Sequence, residues 1–385
     1  MTTSVLTRGA DLERVPFADL SLQWREIAEA ARADFDTLFT TSSFCLGPFV
    51  ERLETAVADY LEVRHAIGVN SGTSALHLAL IAAGVRAGDK VLVPANTFIA
   101  TVWAVLYVGA VPILCDVEVA SGNIDVADAE RRIDRSVKAI IPVHLYGQPA
   151  NMEAVLTLAD RYGLAVIEDA AQAIGARYRG RPVGGFGLFG CFSFYPGKNL
   201  GAAGEAGLVT TNDAARADRV RGLRNHAQTK RYVHNELGFK YRMEGIQGVV
   251  LNHKLSYLDN WTDQRRAIAR RYDEGLAGLP LALPQVVHSD HVYHLYVILS
   301  EQRDELGAFL GAHGVETGLH YPVPIHRQPC LAALEVDRTS YPVTDLYASR
   351  CLSLPIFSGM TDAQMDRVVS TVRSFFAGQP NAIRH

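Results

Sequence analysis

From His65 to about Thr211, short apolar, β-branched runs alternate with stretches of helical periodicity, and this pattern restricts the fold more than any other feature of the chain. The runs are AIGV, KVLVP, VPILCDV, KAIIPVHLY, LAVIEDA, CFSFY and GLVTT. Most are apolar on both faces, as strands buried between two helical layers must be. Helices fit between them at 74–83, 98–108, 124–132 and 152–162. The expectation is an α/β chain with a seven-stranded, mostly parallel sheet covered on both sides. Open sheets of this kind bind ligands beyond the carboxyl ends of their strands. Asp116, His144, Glu168, Asp169 and Ser193 gather at those ends.

Periodicity after Thr211 is helical. IQGVVLNHKLSYLDNWTDQRRAIARRYDEGL has the length of one long connecting helix or a pair. LPLALPQ reads as a linker into a smaller α+β unit. The chain is therefore expected to divide into an N-terminal arm with one amphipathic helix (1–40), a large domain (41–255) and a small C-terminal domain (256–385).

Composition removes several function classes. The 385 residues are 48% hydrophobic and 20% charged, with a formal net charge of −4, so there is no electrostatic footprint for nucleic acid or an anionic membrane. Five scattered cysteines with no C-x-x-C pair point to neither a disulfide framework nor a zinc knuckle. The N-terminal residues lack a signal-peptide run, and Gly109 and Pro112 divide the longest apolar stretch, so a cytoplasmic protein is expected. GGFGLFG has G-x-G-x-x-G spacing but leads into a strand rather than a helix, which argues against dinucleotide binding and for a flexible loop. Of His288, His291 and His294, the last two fall on opposite faces of the expected strand HVYHLYVIL, and no metal site is expected.

Three segments carry chemistry. VNSGTSALHLAL ends a strand and begins a helix with small hydroxyl residues, either a phosphate cradle or an unliganded N-cap. LAVIEDAAQAIGA delivers Asp169 and Gln172 to a strand end, where a carboxylate either caps or pairs with a cation such as a protonated heteroaromatic nitrogen. CFSFYPGKNLGAAGEAG presents Lys198 beside an apolar strand, where desolvation favours the neutral, nucleophilic amine. Ser193, five residues earlier, reaches the same site. A phosphate cradle, a strand-end carboxylate and a desolvated lysine are the groups that pyridoxal phosphate requires.

With these segments in place, the sequence resembles the DegT/DnrJ/EryC1/StrS sugar aminotransferases from about Phe17 to Phe376. NSGTSAL, VPANTFIAT, PVHLYGQPANM, EDAAQAIGA, SFYPGKNLGAAGEAG, LRNH, YRMEGIQGVVL, HYPVPIH and LSLPIF carry the likeness. The resemblance implies an aspartate-aminotransferase-like fold (fold type I) and pyridoxal 5'-phosphate held on Lys198 as a Schiff base. It also implies Asp169 at the pyridine nitrogen, Gln172 at the ring hydroxyl, Phe98 stacked on the ring, and Gly72, Thr73 and Ser193 at the phosphate. Asn225 is implied to reach the phosphate of the second subunit in a homodimer with shared sites. Expected substrates are a nucleotide-linked ketosugar, a dTDP- or UDP-3-oxo hexose, and L-glutamate. Arg224, Lys230, Arg231 and Arg242 are expected to cluster at the opening, with His320 and Tyr321 as sugar donors. The loop RNHAQTKRY and the helix start YRMEGIQG depart from the family's usual pattern near the sugar.

Overall fold

The computed structural model describes residues 14–287, 290–332 and 341–378. Its main sheet contains all seven expected strands: β1 (His65–Val69), β2 (Lys90–Pro94), β3 (Val111–Cys115), β4 (Val137–Ile140), β5 (Ala165–Asp169), β6 (Phe189–Ser193) and β7 (Gly207–Thr211). They lie in the order β1-β7-β6-β5-β4-β2-β3. Only β7 runs against its neighbours. The sequence supplies the reason: parallel strands need a long crossover, whereas β6 and β7 are joined by a glycine-rich loop closed by Phe194 N–H donating to the Ala206 carbonyl (2.8 Å). Lys198 sits in that loop.

Helices cover both faces. α1 (Ser21–Thr41), α2 (Pro48–Tyr60), α3 (Gly72–Ala83), α4 (Ile99–Tyr107), α5 (Val126–Arg131), α6 (Met152–Tyr162) and α7 (Ala214–Arg224) precede a pair, α8 (Gly245–Leu255) and α9 (Leu258–Leu276). The candidate long helix is thus two, broken at Ser256–Tyr257. α3 is apolar nearly all round and is buried between the sheet and α4 and α7. The N-terminal helix α1 docks on α8, with Ala31, Leu38, Phe49 and Val249 in one cluster.

A second core belongs to the C-terminal elements: α10 (Arg303–Ala312), α12 (Asp362–Ala377) and the antiparallel pair β8 (Tyr296–Leu299) and β9 (Cys351–Leu354), which α11 (Pro342–Arg350) precedes. α9 joins the two cores, placing Leu258 in the first and Ile268, Tyr272 and Leu276 in the second. The LPLALPQ segment pairs as well as links, because Ala282 bridges Leu299 on the edge of β8. No helix among the described residues is long and apolar enough to cross a membrane.

The GGFGLFG segment is not a flexible loop. Its main chain wraps the buried Glu168 carboxylate, which accepts from the N–H groups of Gly184 (2.7 Å), Phe186 (2.8 Å) and Gly187 (2.8 Å) and contacts His144 Nε2 (3.1 Å). Glycine is needed for this approach, since a Cβ at 187 lies 2.5 Å from the Val166 carbonyl oxygen and one at 190 lies 2.4 Å from Thr210 Oγ1. A buried carboxylate is tolerated when its lone pairs are filled in this way.

Candidate active site

A cavity of about 620 Å³ opens at the carboxyl ends of the strands, between the main sheet and the C-terminal elements. Asp169 ends β5 and lines it. Its main chain is pinned by Asp169 N–H to the Pro142 carbonyl (2.9 Å) and by His144 N–H to its own carbonyl (3.0 Å). Its carboxylate accepts from Thr101 Oγ1 (2.8 Å) and from the Ala171 N–H (3.2 Å). Burial pushes the carboxyl above its ordinary value, and those two hydrogen bonds together with Lys198 oppose the rise. A desolvated carboxylate with no ion-pair partner among the described side chains suits a protonated ring nitrogen.

Lys198 lines the same cavity from the β6–β7 loop, in a turn closed by its N–H to the Tyr195 carbonyl (2.8 Å). It is partly open to the cavity but surrounded by protein. Burial lowers its pKa to about 8, against the opposing pull of Asp169. A substantial neutral fraction therefore exists near neutrality, as a nucleophilic or proton-accepting amine requires.

The phosphate end is built by α3 and β6. Ser71 caps α3 by accepting from Ser74 N–H (3.1 Å), while the N–H groups of Gly72 and Thr73 have no intrahelical acceptor. Ser193 closes this corner. A Cβ at Gly72 lies 2.8 Å from Ser193 Cβ, so glycine lets the helix start and the strand end approach. Exposed amides, a positive dipole end and a serine hydroxyl form an anion cradle. With Lys198 and Asp169 lining the same cavity, the donor set fits pyridoxal phosphate.

Phe98 is 52% exposed, lines the cavity and lies with its ring centroid 5.6 Å from that of Tyr321. Gln172 is fixed at both ends: its Oε1 accepts from Tyr146 N–H (2.6 Å) and its Nε2 donates to Tyr321 Oη (3.0 Å). His320 stacks on Phe17 and bonds Ser353 through Nδ1 (2.8 Å). Burial, then Lys198, lower the His320 pKa to about 4, so it faces the cavity neutral.

Five candidates lie elsewhere in the single chain, among them Arg242, which bridges Val69 and does not line the cavity. Arg224 is buried, and its guanidinium is used by Glu54 and the Gly68 carbonyl, which removes it from the expected cluster at the opening. Lys230 and Arg231 are exposed on a short hairpin (228–234), and Asn225 is the C-cap of α7; none of these lines the cavity. His288 lies outside the described residues. His291 is held neutral by burial, with a pKa near 3, and its Nδ1 accepts from Tyr293 N–H.

Sequence reasoning missed Thr101, Gln23, Phe17 and Arg265, all on the cavity wall. For Thr101 a signal existed: it lies three residues after Phe98 in an otherwise apolar helix, one turn along the same face. Phe17 and Gln23 reach the wall because the N-terminal segment is tied to the C-terminal elements by Val15 N–H to the Gly314 carbonyl and Phe17 N–H to Glu316. That pairing has no local sequence signature.

The geometry has counterparts. Residues 25–373 match the DegT/DnrJ/EryC1/StrS aminotransferase family. The chain is 42% identical over 372 residues to a dTDP-3-amino-3,4,6-trideoxy-alpha-D-glucose transaminase of Streptomyces venezuelae, covering 96% of this chain and 98% of that one. It is also 42% identical over 365 residues to a UDP-N-acetyl-3-dehydro-alpha-D-glucosamine 3-aminotransferase of Acidithiobacillus ferrooxidans, covering 94% and 98%. The crystal structure of S. venezuelae DesV in complex with a ketimine intermediate superposes with a TM-score of 0.92, at 42% identity and with 96% of this chain and 100% of that one covered. The chain belongs to the DegT/DnrJ/EryC1/StrS aminotransferase family and is a pyridoxal-phosphate-dependent sugar aminotransferase of fold type I.

Proposed function

We propose that this enzyme moves the amino group of L-glutamate to carbon 3 of a nucleotide-linked 3-oxo hexose, carried by dTDP or UDP. The observation that carries the reading is the likeness, over nearly the full chain, to two transaminases whose names place the amino group at carbon 3. In support, His320 and Tyr321 line the same cavity as Lys198.

Pyridoxal phosphate, when bound, supplies a carbonyl for the amine and a ring that takes up electron pairs. Gly72, Thr73 and Ser193 would hold its phosphate, Phe98 would cover the ring and Gln172 would address the ring hydroxyl. Asp169 would balance a protonated ring nitrogen from within a desolvated pocket, where a charge pair is stronger than in water. Lys198, with a pKa near 8, takes the proton from the donor's alpha carbon and returns one in the second half of the cycle. Donor and ketosugar use one cavity in turn, so ping-pong kinetics are expected. Asn225 and the 228–234 hairpin serve a site only if supplied by a second copy, and the functional unit is read as a homodimer.

The test converts the amine-loaded enzyme back with 3-oxo and 4-oxo isomers of dTDP- and UDP-hexoses. Faster turnover of the 3-oxo sugars is expected. Faster turnover of the 4-oxo sugars would overturn the regiochemistry, and no response to any nucleotide sugar would remove the substrate class.

A further inference from the structure

Among the described residues the buried cations Arg224, Lys254 and Arg265 differ in their partners, and the Nε of Arg224 as well as that of Arg265 lacks an acceptor. Arg224 has Glu54, and Lys254 donates to Gln23 Oε1 (3.2 Å) and the Gly201 carbonyl (2.8 Å). Arg265, on α9, is 5% exposed and has no carboxylate partner among the described residues. Its Nη1 donates to the carbonyls of Tyr293 (3.1 Å), His294 (3.4 Å) and Ile356 (2.9 Å). Nε is buried without an acceptor, and Nη2 has none among the described residues. Guanidinium N–H groups left unpaired in a desolvated setting are costly, and burial lowers even this pKa, to about 10.

Arg265 lines the cavity that also holds Lys198 and Asp169. Its neighbours add no negative charge. His294 is pushed well below its ordinary pKa by burial, then by Lys198 and Arg265, and so stays neutral. His320 is neutral for similar reasons. The acidic residues on the wall are Asp169, Asp19 and Glu205; Asp19 accepts from Ser21, and none of the three bonds to Arg265. Nη2 keeps N–H groups free for an anion, and a guanidinium gives a carboxylate charge-assisted hydrogen bonds.

We propose that Arg265 is the subsite for the α-carboxylate of the amino donor. The assignment rests on the donor half of the function proposed above and follows from charge: an amino acid carries a carboxylate beside the reacting carbon, and a ketosugar does not. A nucleotide sugar's charge resides on its diphosphate, away from the carbon that is aminated. The cation therefore distinguishes the two substrates that share the cavity.

The half-reactions can be followed separately on the holoenzyme by stopped-flow absorbance. Arg265→Gln is expected to lower the efficiency of the donor half-reaction at least tenfold more than that of the ketosugar half-reaction. Arg265→Lys, which keeps the charge and donors for the carbonyls, should recover part of the difference. Equal losses in both halves would overturn the proposal and leave Arg265 as a clamp on the 293–294 and 356 main chain. A wild-type arm needs no variant: L-glutamate should exceed γ-aminobutyrate, which lacks the α-carboxylate, at least a hundredfold as donor, and parity would also overturn the subsite. Succinate, titrated calorimetrically into holoenzyme, should bind at least tenfold more weakly to Arg265→Gln, and unchanged affinity counts against the proposal. If another amino acid proves to be the donor, the glutamate reading fails while Arg265 is tested with that amino acid, since the α-carboxylate is common to all.

Discussion

Gly72 and Ser193 meet so closely that a Cβ on residue 72 falls 2.8 Å from the serine Cβ and 3.3 Å from its Cα. The helix start and the strand end come this close because residue 72 has no side chain. Gly72→Ala must displace one of them, at a cost of about 1–3 kcal/mol. Cofactor affinity, measured by fluorescence titration, should fall about tenfold or more, with a lower denaturant midpoint. Wild-type values for both would show that the corner is looser than described.

Covalent attachment of the cofactor to Lys198 should follow the neutral amine. With a pKa near 8, its neutral fraction rises from about a tenth at pH 7 to about nine-tenths at pH 9. The attachment rate, read from the visible absorbance of cofactor-free enzyme mixed with pyridoxal phosphate, should rise with a midpoint near pH 8. A midpoint near that of an ordinary lysine would contradict the desolvation argument. Lys198→Ala should abolish the borohydride-fixed adduct, and an adduct on Lys254 instead would move the site.

Asp169→Ala is expected to reduce turnover by about a thousandfold or more, because the ring nitrogen loses its counter-charge in a desolvated pocket. Thr101→Val tests the pair more finely. The Thr101 hydrogen bond pulls the Asp169 carboxyl down against burial, so its loss raises that pKa and the carboxylate protonates at higher pH. The acid limb of cofactor affinity should move upward in pH. A limb that stays in place would remove Thr101 from the site.

Glu168→Gln replaces an acceptor of three main-chain N–H groups with an amide that must turn its own NH₂ toward some of them. Unmatched donors here should destabilise the chain by about 1–3 kcal/mol. Urea unfolding measures the loss, and an unchanged midpoint would mean that the turn does not depend on the charge.

Complementation checks the shared site. A Lys198→Ala chain mixed with an Asn225→Ala chain should regain activity that neither has alone. A monomer in sedimentation at working concentration would refute the dimer.

The sheet was legible because its strands are apolar on both faces and stop at polar residues; Asp169 and Lys198 stood out for the same reason, being titratable groups at apolar strand ends. Arg265 did not, since RRAIARRY reads as the polar face of an amphipathic helix, and its burial comes from main-chain carbonyls about 30 and 90 residues away. Arg224 misled in the opposite direction: its partner, Glu54, lies 170 positions earlier, and nothing local reveals the pair. GGFGLFG looked mobile because glycine is the residue of mobile loops. It is equally the residue of crowded ones.

Glu168 and Asp169 are consecutive on one strand, and strand geometry sends them to opposite sides, one into the 184–187 turn and the other into the cavity. A slip of β5 by one position would exchange them. The longer acid would then enter the cavity, and the shorter one would fall short of the amides that the longer one fills. Correct alignment of the strand and competence to hold the cofactor are therefore a single condition, and a chain with this strand misaligned would stay colourless when offered the cofactor.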